Sequence, residues 1–289
     1  MANHVFRNGA GTWVFTTAAN WDSGSVPAAA DNWSVATDIG AGTIAGWSHT
    51  DRKFGNVLIP PGCNVQLGTS GSPGIFTATT IEHYGNAPFY FRSGTGTADI
   101  TNRIIVRSPL MGDLEQASAS SGQYAMILDD DGTSTISWVE CIGGGVYLTG
   151  AAGTIGKVQV KGANARLRTD TSGIGTFTSL DVIAGWARTW NTLTNAIVGG
   201  SGMLTIEEGS VTTKLAITAG GAKVIYKADD TLAYAMVLAG ELDLTRDPRF
   251  RTVTLLETGP DARVYKANNV TITTDSSLPG TVISRAMVA

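Results

Sequence analysis

The chain has 289 residues, of which 43% are hydrophobic and only 15% charged, with 36 glycines and a formal net charge of −4. This balance argues against an amphipathic-helix protein and for a turn-rich all-β chain. With no Lys/Arg run and an acidic excess, it offers no electrostatic footprint for nucleic acid. No run approaches the length of a membrane helix, and Met1 to Asn8 lacks the charged and apolar segments of a signal peptide, so no membrane association is expected.

In chain order, the first distinctive segment is Gly11-Thr12-Trp13, followed by Asn20-Trp21 with Gly24, Val26 and Pro27, and then Asp31 before Trp33. Asn20, Gly24 and Pro27 force turns, and Trp13, Trp21 and Trp33 supply apolar area to cover an open end, so the segment reads as a cap. From Phe54 to Val106, strand-like runs continue at less regular spacing, among them Asn56–Ile59, Asn64–Leu67, Gly74–Thr77 and Pro88–Phe91. Residues 1–107 are therefore taken as cap and irregular β region. Residues 108–123 carry Pro109, Gly112, Gly122 and an Ala/Ser run from Ala117 to Ser121, the composition of a loop or linker.

Residues 124–289 are expected to form a regular β-solenoid. One strand class recurs with anchors Leu148, Leu167, Leu204, Val224, Leu242 and Val264, at spacings close to twenty residues except one of 37, which is near two steps. A second class, including Lys157–Val160, Ser179–Val182, Lys214–Ile217, Ala235–Leu238, Thr252–Leu255 and Val270–Thr273, keeps the same pace. Glycine and asparagine punctuate the corners, as at Gly199-Gly200 and Gly220-Gly221. A fixed period with two strand classes predicts an all-β parallel β-helix with coils of about twenty residues. A β-sandwich is the competing architecture. Residues 184–198, with Trp186, Trp190 and Asn191, interrupt the anchors and are expected to leave the stack as a loop. Trp186 and Trp190 are then the candidate interface residues. Thr281–Ser284 is the last predicted strand, and no polar capping helix is visible near it.

Chemical signals are sparse. Cys63 and Cys141 sit in apolar strand contexts without metal spacing and are expected to be buried thiols rather than a disulfide. His4, His49 and His83 are scattered, and Gly94-Thr95-Gly96 is a turn rather than a dinucleotide loop. Asp129-Asp130-Asp131-Gly132 with Glu140 has carboxylates at positions of a calcium loop, yet its glycine is misplaced, and a solvated turn is the plainer reading. Asp129, Asp131, Asp170, Asp181, Asp229 and Asp230 are the acids available for paired-carboxylate chemistry on polysaccharide, which requires two of them on one face. No catalytic residue, metal or cofactor is assigned.

The string of Thr12-Trp13, Asn20-Trp21, Gly24, Val26-Pro27 and Asp31 resembles the start of β-helical repeat proteins of bacteriophage virions and bacterial surfaces. Surface relatives of that kind carry an export signal, so the resemblance implies the virion branch. It implies a non-enzymatic structural protein made in the host cytoplasm and built into the particle, as a capsid decoration, cement or fibre-like component. Its partners would be its own copies, in a homotrimer, and the major capsid or another virion protein. A polysaccharide-binding or polysaccharide-cleaving β-helix of the tail-spike kind, and a bacterial surface adhesin fragment, remain open alternatives.

Overall fold

The computed structural model describes all residues except 45–46, 94–100, 116–123, 132–134, 152–153, 171–174 and 288–289. Of 49–52, 93, 129–131, 135 and 150–151 it describes the backbone alone. Strands take up 60% of the chain, and the helical content among the described residues is one 3-10 turn, Ala18–Asn20. All strand pairs are parallel and belong to one sheet that winds into a β-solenoid of about 10 turns, with coils of about 21 residues. The anticipated all-β parallel architecture is what is found.

Parallel winding fixes which residues lie above and below one another, so apolar positions recur as columns. One column runs in register through Val146, Leu167, Ala187, Leu204, Val224, Leu242 and Val264, all buried. Two corrections to the sequence register follow. Leu148 lies one inward position beyond the column and pairs with Thr169, while Val146 takes the expected place. The spacing of 37 is filled by Ala187 on the strand Trp186–Thr189, whose small side chain hides it from a search for Leu and Val anchors. Residues 184–198 therefore do not leave the stack: Trp186–Thr189 and Thr192–Val198 are two of its strands.

A second column passes through Ile81, Ile104, Val139, Val158, Leu180, Ala196, Leu215 and Ala235 to Leu256. A third is formed where the same strands bend, with Ile136, Ile155, Phe177 and Leu193 stacked, and later Leu232, Val253 and Ile272. Val253 and Ile272 thus belong to the third column rather than beside Leu215, because an alternating run cannot by itself reveal on which side of a bend it lies. Burial of each large aliphatic side chain contributes about 1.5–3 kcal/mol, and the columns supply dozens of them in one continuous core.

The early coils are wider and filled differently. Val57 and Ile81 are register neighbours 24 residues apart, against 16 for Leu180 and Ala196. Longer coils enclose more volume, and aromatic rings occupy it: Phe15 stacks on Trp47 at 4.4 Å, and Trp33 meets Phe54 and Phe76 edge-on at 6.2 and 5.8 Å. The step from Ile104 to its register neighbour Val139 spans 35 residues, and the described residues 108–115 within it leave the ladder. Strands on either side of that excursion pair directly, Phe89 with Met126 and Ile104 with Val139.

The N-terminal edge is closed. Asn3–Phe6 pairs with Asn32–Val35 on one side. On the other, residues 20–22 fold back over it: Arg7 N–H donates to the Asn20 carbonyl (2.7 Å), Asp22 N–H to the Val5 carbonyl (3.0 Å), and Val5 N–H to the Asp22 carboxylate (2.8 Å). The Asn20 side chain, fully buried, accepts from Ala10 N–H and donates to the Val14 carbonyl, and the Trp21 indole N–H donates to the Phe15 carbonyl. Asp31 accepts N–H bonds from Ala2 and Ala28, which lead in holding its carboxyl below the usual range, and it also meets the His4 ring at 3.2 Å. The Asn-Trp and Asp positions of the opening string are thus the fastenings of a cap that satisfies an otherwise bare strand edge.

His83 is fully buried against Phe89 and in register between Ile59 and Val106. Burial lowers its pKa from 6.5 to about 4, offset only in part by backbone at Ala125 and Ala87. Between those values the unfolded chain binds a proton that the folded chain refuses, so stability falls as pH drops from 6.5 towards 4, by about 3 kcal/mol in full. Urea midpoints measured at pH 7 and pH 4.5 should fall further for the wild type than for His83→Leu; equal losses would place the acid sensitivity elsewhere.

Candidate interaction surface

Alternation along Ala165–Thr169 and Trp186–Thr189 sends Leu167 and Ala187 inward, which leaves Arg166, Arg168, Trp186 and Arg188 on the outside. Trp186 is 45% exposed, with the Arg166 guanidinium 4.9 Å from its ring centre. Trp190 is 9% exposed, covered by Arg168 and Arg188 at 4.9 and 5.1 Å. The two tryptophans, paired in the sequence reading, therefore differ: Trp186 is available to a partner, whereas Trp190 packs under two arginines. Asn191 is buried at the next turn, donating its N–H to Thr189 and accepting from the Ser210 hydroxyl.

The excursion after Arg103–Arg107 lies across this same face. The Leu114 carbonyl accepts from both Arg168 and Arg188, and Arg188 also pairs with Glu115 (2.5 Å) and Glu207 (2.7 Å). The Tyr124 hydroxyl donates to the Asp113 carbonyl. Beneath the segment, Tyr90, Tyr124, Ile127 and Tyr147 form a second buried apolar cluster on the outside of the stack, and burial pushes the Tyr124 phenol well above its ordinary pKa. Tyr90, Ile127, Tyr147, Arg168 and Arg188 are one outward column in register, so residues 108–115 act as a strap over a column that would otherwise face water. The residues of the Ala117–Ser121 run lie outside the described residues.

A neighbouring face carries charge. Glu140, nearly buried, is gripped by Arg103 and by Lys161 (2.6 Å), and Arg103 also covers the Trp138 ring at 4.3 Å. Burial alone would raise the Glu140 pKa, but the hydrogen bonds from Arg103 and Lys161 outweigh it and hold the group ionised. Asp181 follows the same pattern with Gln159, Lys157 and Ser179. Sequence reading missed this cluster. Its signal was the outward alternation of Arg103, Ile105 and Arg107 and of Lys157, Gln159 and Lys161.

The remaining candidate groups are placed as follows. Asp170 accepts from Thr149, Asp229 pairs with Arg249 at 3.0 Å, and Asp230 accepts the N–H of Thr231. The side chains of Asp129 and Asp131, the rest of the calcium-like run, His49, and Gly94 to Gly96 lie outside the described residues. The backbone of Asp129 to Asp131 pairs as strand with Thr149 to Ala151, and Glu140, the last member of that run, faces cations. No group of three His, Cys, Asp or Glu side chains that could hold a metal is found among the described residues. Cys63 and Cys141 are free and buried, and burial raises both thiols, Cys141 to about 12. Comparisons of the chain with protein families, with curated proteins and with solved structures find no match in any of the three.

Arg188 ties the strap to the stack through Leu114, Glu115 and, on the stack itself, Glu207. Arg188→Met should lower stability by about 1–2 kcal/mol through these lost charged hydrogen bonds, and should speed chymotrypsin cleavage at Leu110, Met111 or Leu114 severalfold. Unchanged cleavage would mean that the strap is held by other contacts.

Proposed function

We propose that the chain is a non-enzymatic structural component of a bacteriophage particle, a capsid decoration, cement or fibre-like protein that assembles as a homotrimer and seats on the major capsid or another virion protein. The observation that carries this reading is how the outside of the stack is furnished. Glu140, Asp181, Asp243 and Asp247 are each held below the usual carboxylate range by hydrogen-bonding partners, Asp243 by Thr245 and Arg246 against the opposing effect of burial, and Asp247 chiefly by Arg249. A glycosidic general acid requires the opposite, a carboxyl kept protonated near neutral pH. Meanwhile Ile183, Trp186, Ile197 and Leu238 stand exposed within four successive coils, as on a surface that is covered by association. The closed N-terminal cap supports the virion resemblance, since the residues that carry that resemblance build it.

Trp186 favours a second reading, a polysaccharide-binding β-helix of the tail-spike kind, because an exposed indole can stack on a sugar ring. Light scattering on the purified chain at micromolar concentration, alone and with capsid shells lacking it, separates the readings. Three times the 30.0 kDa chain mass and co-sedimentation with the shells are expected. A 30.0 kDa monomer that leaves the shells bare and instead binds host polysaccharide would overturn the proposal in favour of the second reading.

A further inference from the structure

The charged face changes character along the stack. In its central outward column, Gln159 and Asp181 are followed in register by Ile197, Ala216 and Met236, and then by Glu257. Three successive rungs, about 4.8 Å apart, thus turn an uncharged centre to solvent. Ile197 is 44% exposed, and Ile183 and Leu238, each directly after the last inward residue of its rung, are 45% and 47% exposed. Trp186 stands just around the turn from Ile183, so the apolar surface continues to the tryptophan described above. An exposed area of this kind on consecutive coils marks a contact surface.

We propose that this patch is the contact between copies of the chain, packed with their solenoid axes parallel; the proposal rests on the homo-oligomeric reading above and assigns its surface. The flanks of the three rungs identify the occupant. On one side stand Asn195, Lys214 and Tyr234 in register; on the other, Gly199 and Thr218 follow Val198 and Ile217, and the register then shifts, so that Thr218 pairs with Ala239 and Leu238 is the extra residue of a bulge. A rotation axis parallel to the stack opposes equal rungs with the flanks exchanged. Asn195 then meets Gly199, Lys214 meets Thr218, and Tyr234 faces the bulge at Leu238 and Ala239, each a larger or longer group against a smaller or compatible one. A two-fold axis across the stack, centred on Ala216, would set Lys214 against Lys214 and Asp181 against Glu257. Lys214 has no carboxylate partner among the described residues to neutralise it. The parallel arrangement brings Asp181 and Glu257 each towards its own copy, as many carboxylate contacts as the crossed one makes; Asp181 is paired with Lys157 at 2.9 Å and Glu257 accepts from the Tyr234 hydroxyl, so Lys214 decides between the two. Like charges brought together oppose association, so the parallel arrangement is selected, and a three-fold axis preserves its rung-to-rung matching.

The test uses two variants of the full chain. Ala216→Glu places a charge at the centre of the patch and should reduce the oligomer to monomer in sedimentation velocity while circular dichroism stays that of the wild type. Ile197→Cys should give a disulfide-linked pair under mild oxidation, because equal rungs meet; Cys63 and Cys141 are fully buried and do not compete. This second variant decides the matter should Ala216→Glu fold poorly. An oligomer that survives Ala216→Glu, with no cross-link through Ile197→Cys, overturns the patch and leaves the oligomeric reading standing. Cross-linking only between Ile197→Cys and Met236→Cys chains overturns the parallel arrangement. A monomeric wild type overturns the patch and the oligomeric reading together.

Discussion

Register is the constraint on which this molecule depends. In a parallel stack every inward side chain has its neighbours above and below chosen by hydrogen bonding of the backbone, so a position such as Leu242 must fit Val224 on one side and Val264 on the other. Side-chain size is therefore matched locally. Where the coils are long, Trp33, Trp47, Phe54 and Phe76 fill the width; where they shorten, Leu180, Ala196 and Leu215 suffice. A bent strand shows the same economy, since the third column is made by the residues before the bend in the strands that serve the second.

Edges and outward columns follow from that constraint. A stack of parallel strands exposes hydrogen-bonding groups at its first strand, and the fold-back of residues 20–22 satisfies them there. Outward positions are free of packing demands, and the chain uses them in three ways. One column is roofed by the strap at Tyr90, Ile127 and Tyr147, a second binds its carboxylates to lysine and arginine at Glu140 and Asp181, and its continuation at Ile197 and Met236 carries neither roof nor charge. A polar group that defies the pattern is His83, buried in an apolar column at the expense of its protonated form.

Much of this was legible in the residues. Glycine corners, the two strand classes and the period near twenty identify the solenoid and place Leu167, Leu204, Val224, Leu242 and Val264 in one column. What sequence could not supply has a physical reason in each case. Ala187 is too small to announce a core position, and Leu148 alternates in phase with Val146, so pattern alone cannot choose between them. Trp186 and Trp190 look alike in sequence because exposure depends on Arg168 and Arg188, one of them a coil away. The strap over Tyr147 is a contact between residues that no local period links. The charged cluster at Glu140 joins Arg103, Trp138 and Lys161 from three rungs, which become neighbours only once the register is known.

The central claim is that one in-register stack runs through the described strands on both sides of residues 108–115, which leave it. Hydrogen exchange with peptide resolution tests this most directly, because stacked strands open as cooperative units. The account predicts that peptides covering Phe89–Phe91 and Arg103–Arg107 share the slow exchange of Met126–Leu128 and Val139–Leu148, with which they pair, and lose it together under mild denaturant. Protection lost in two separate steps, one for the strands before residue 108 and one for those after 124, would contradict it.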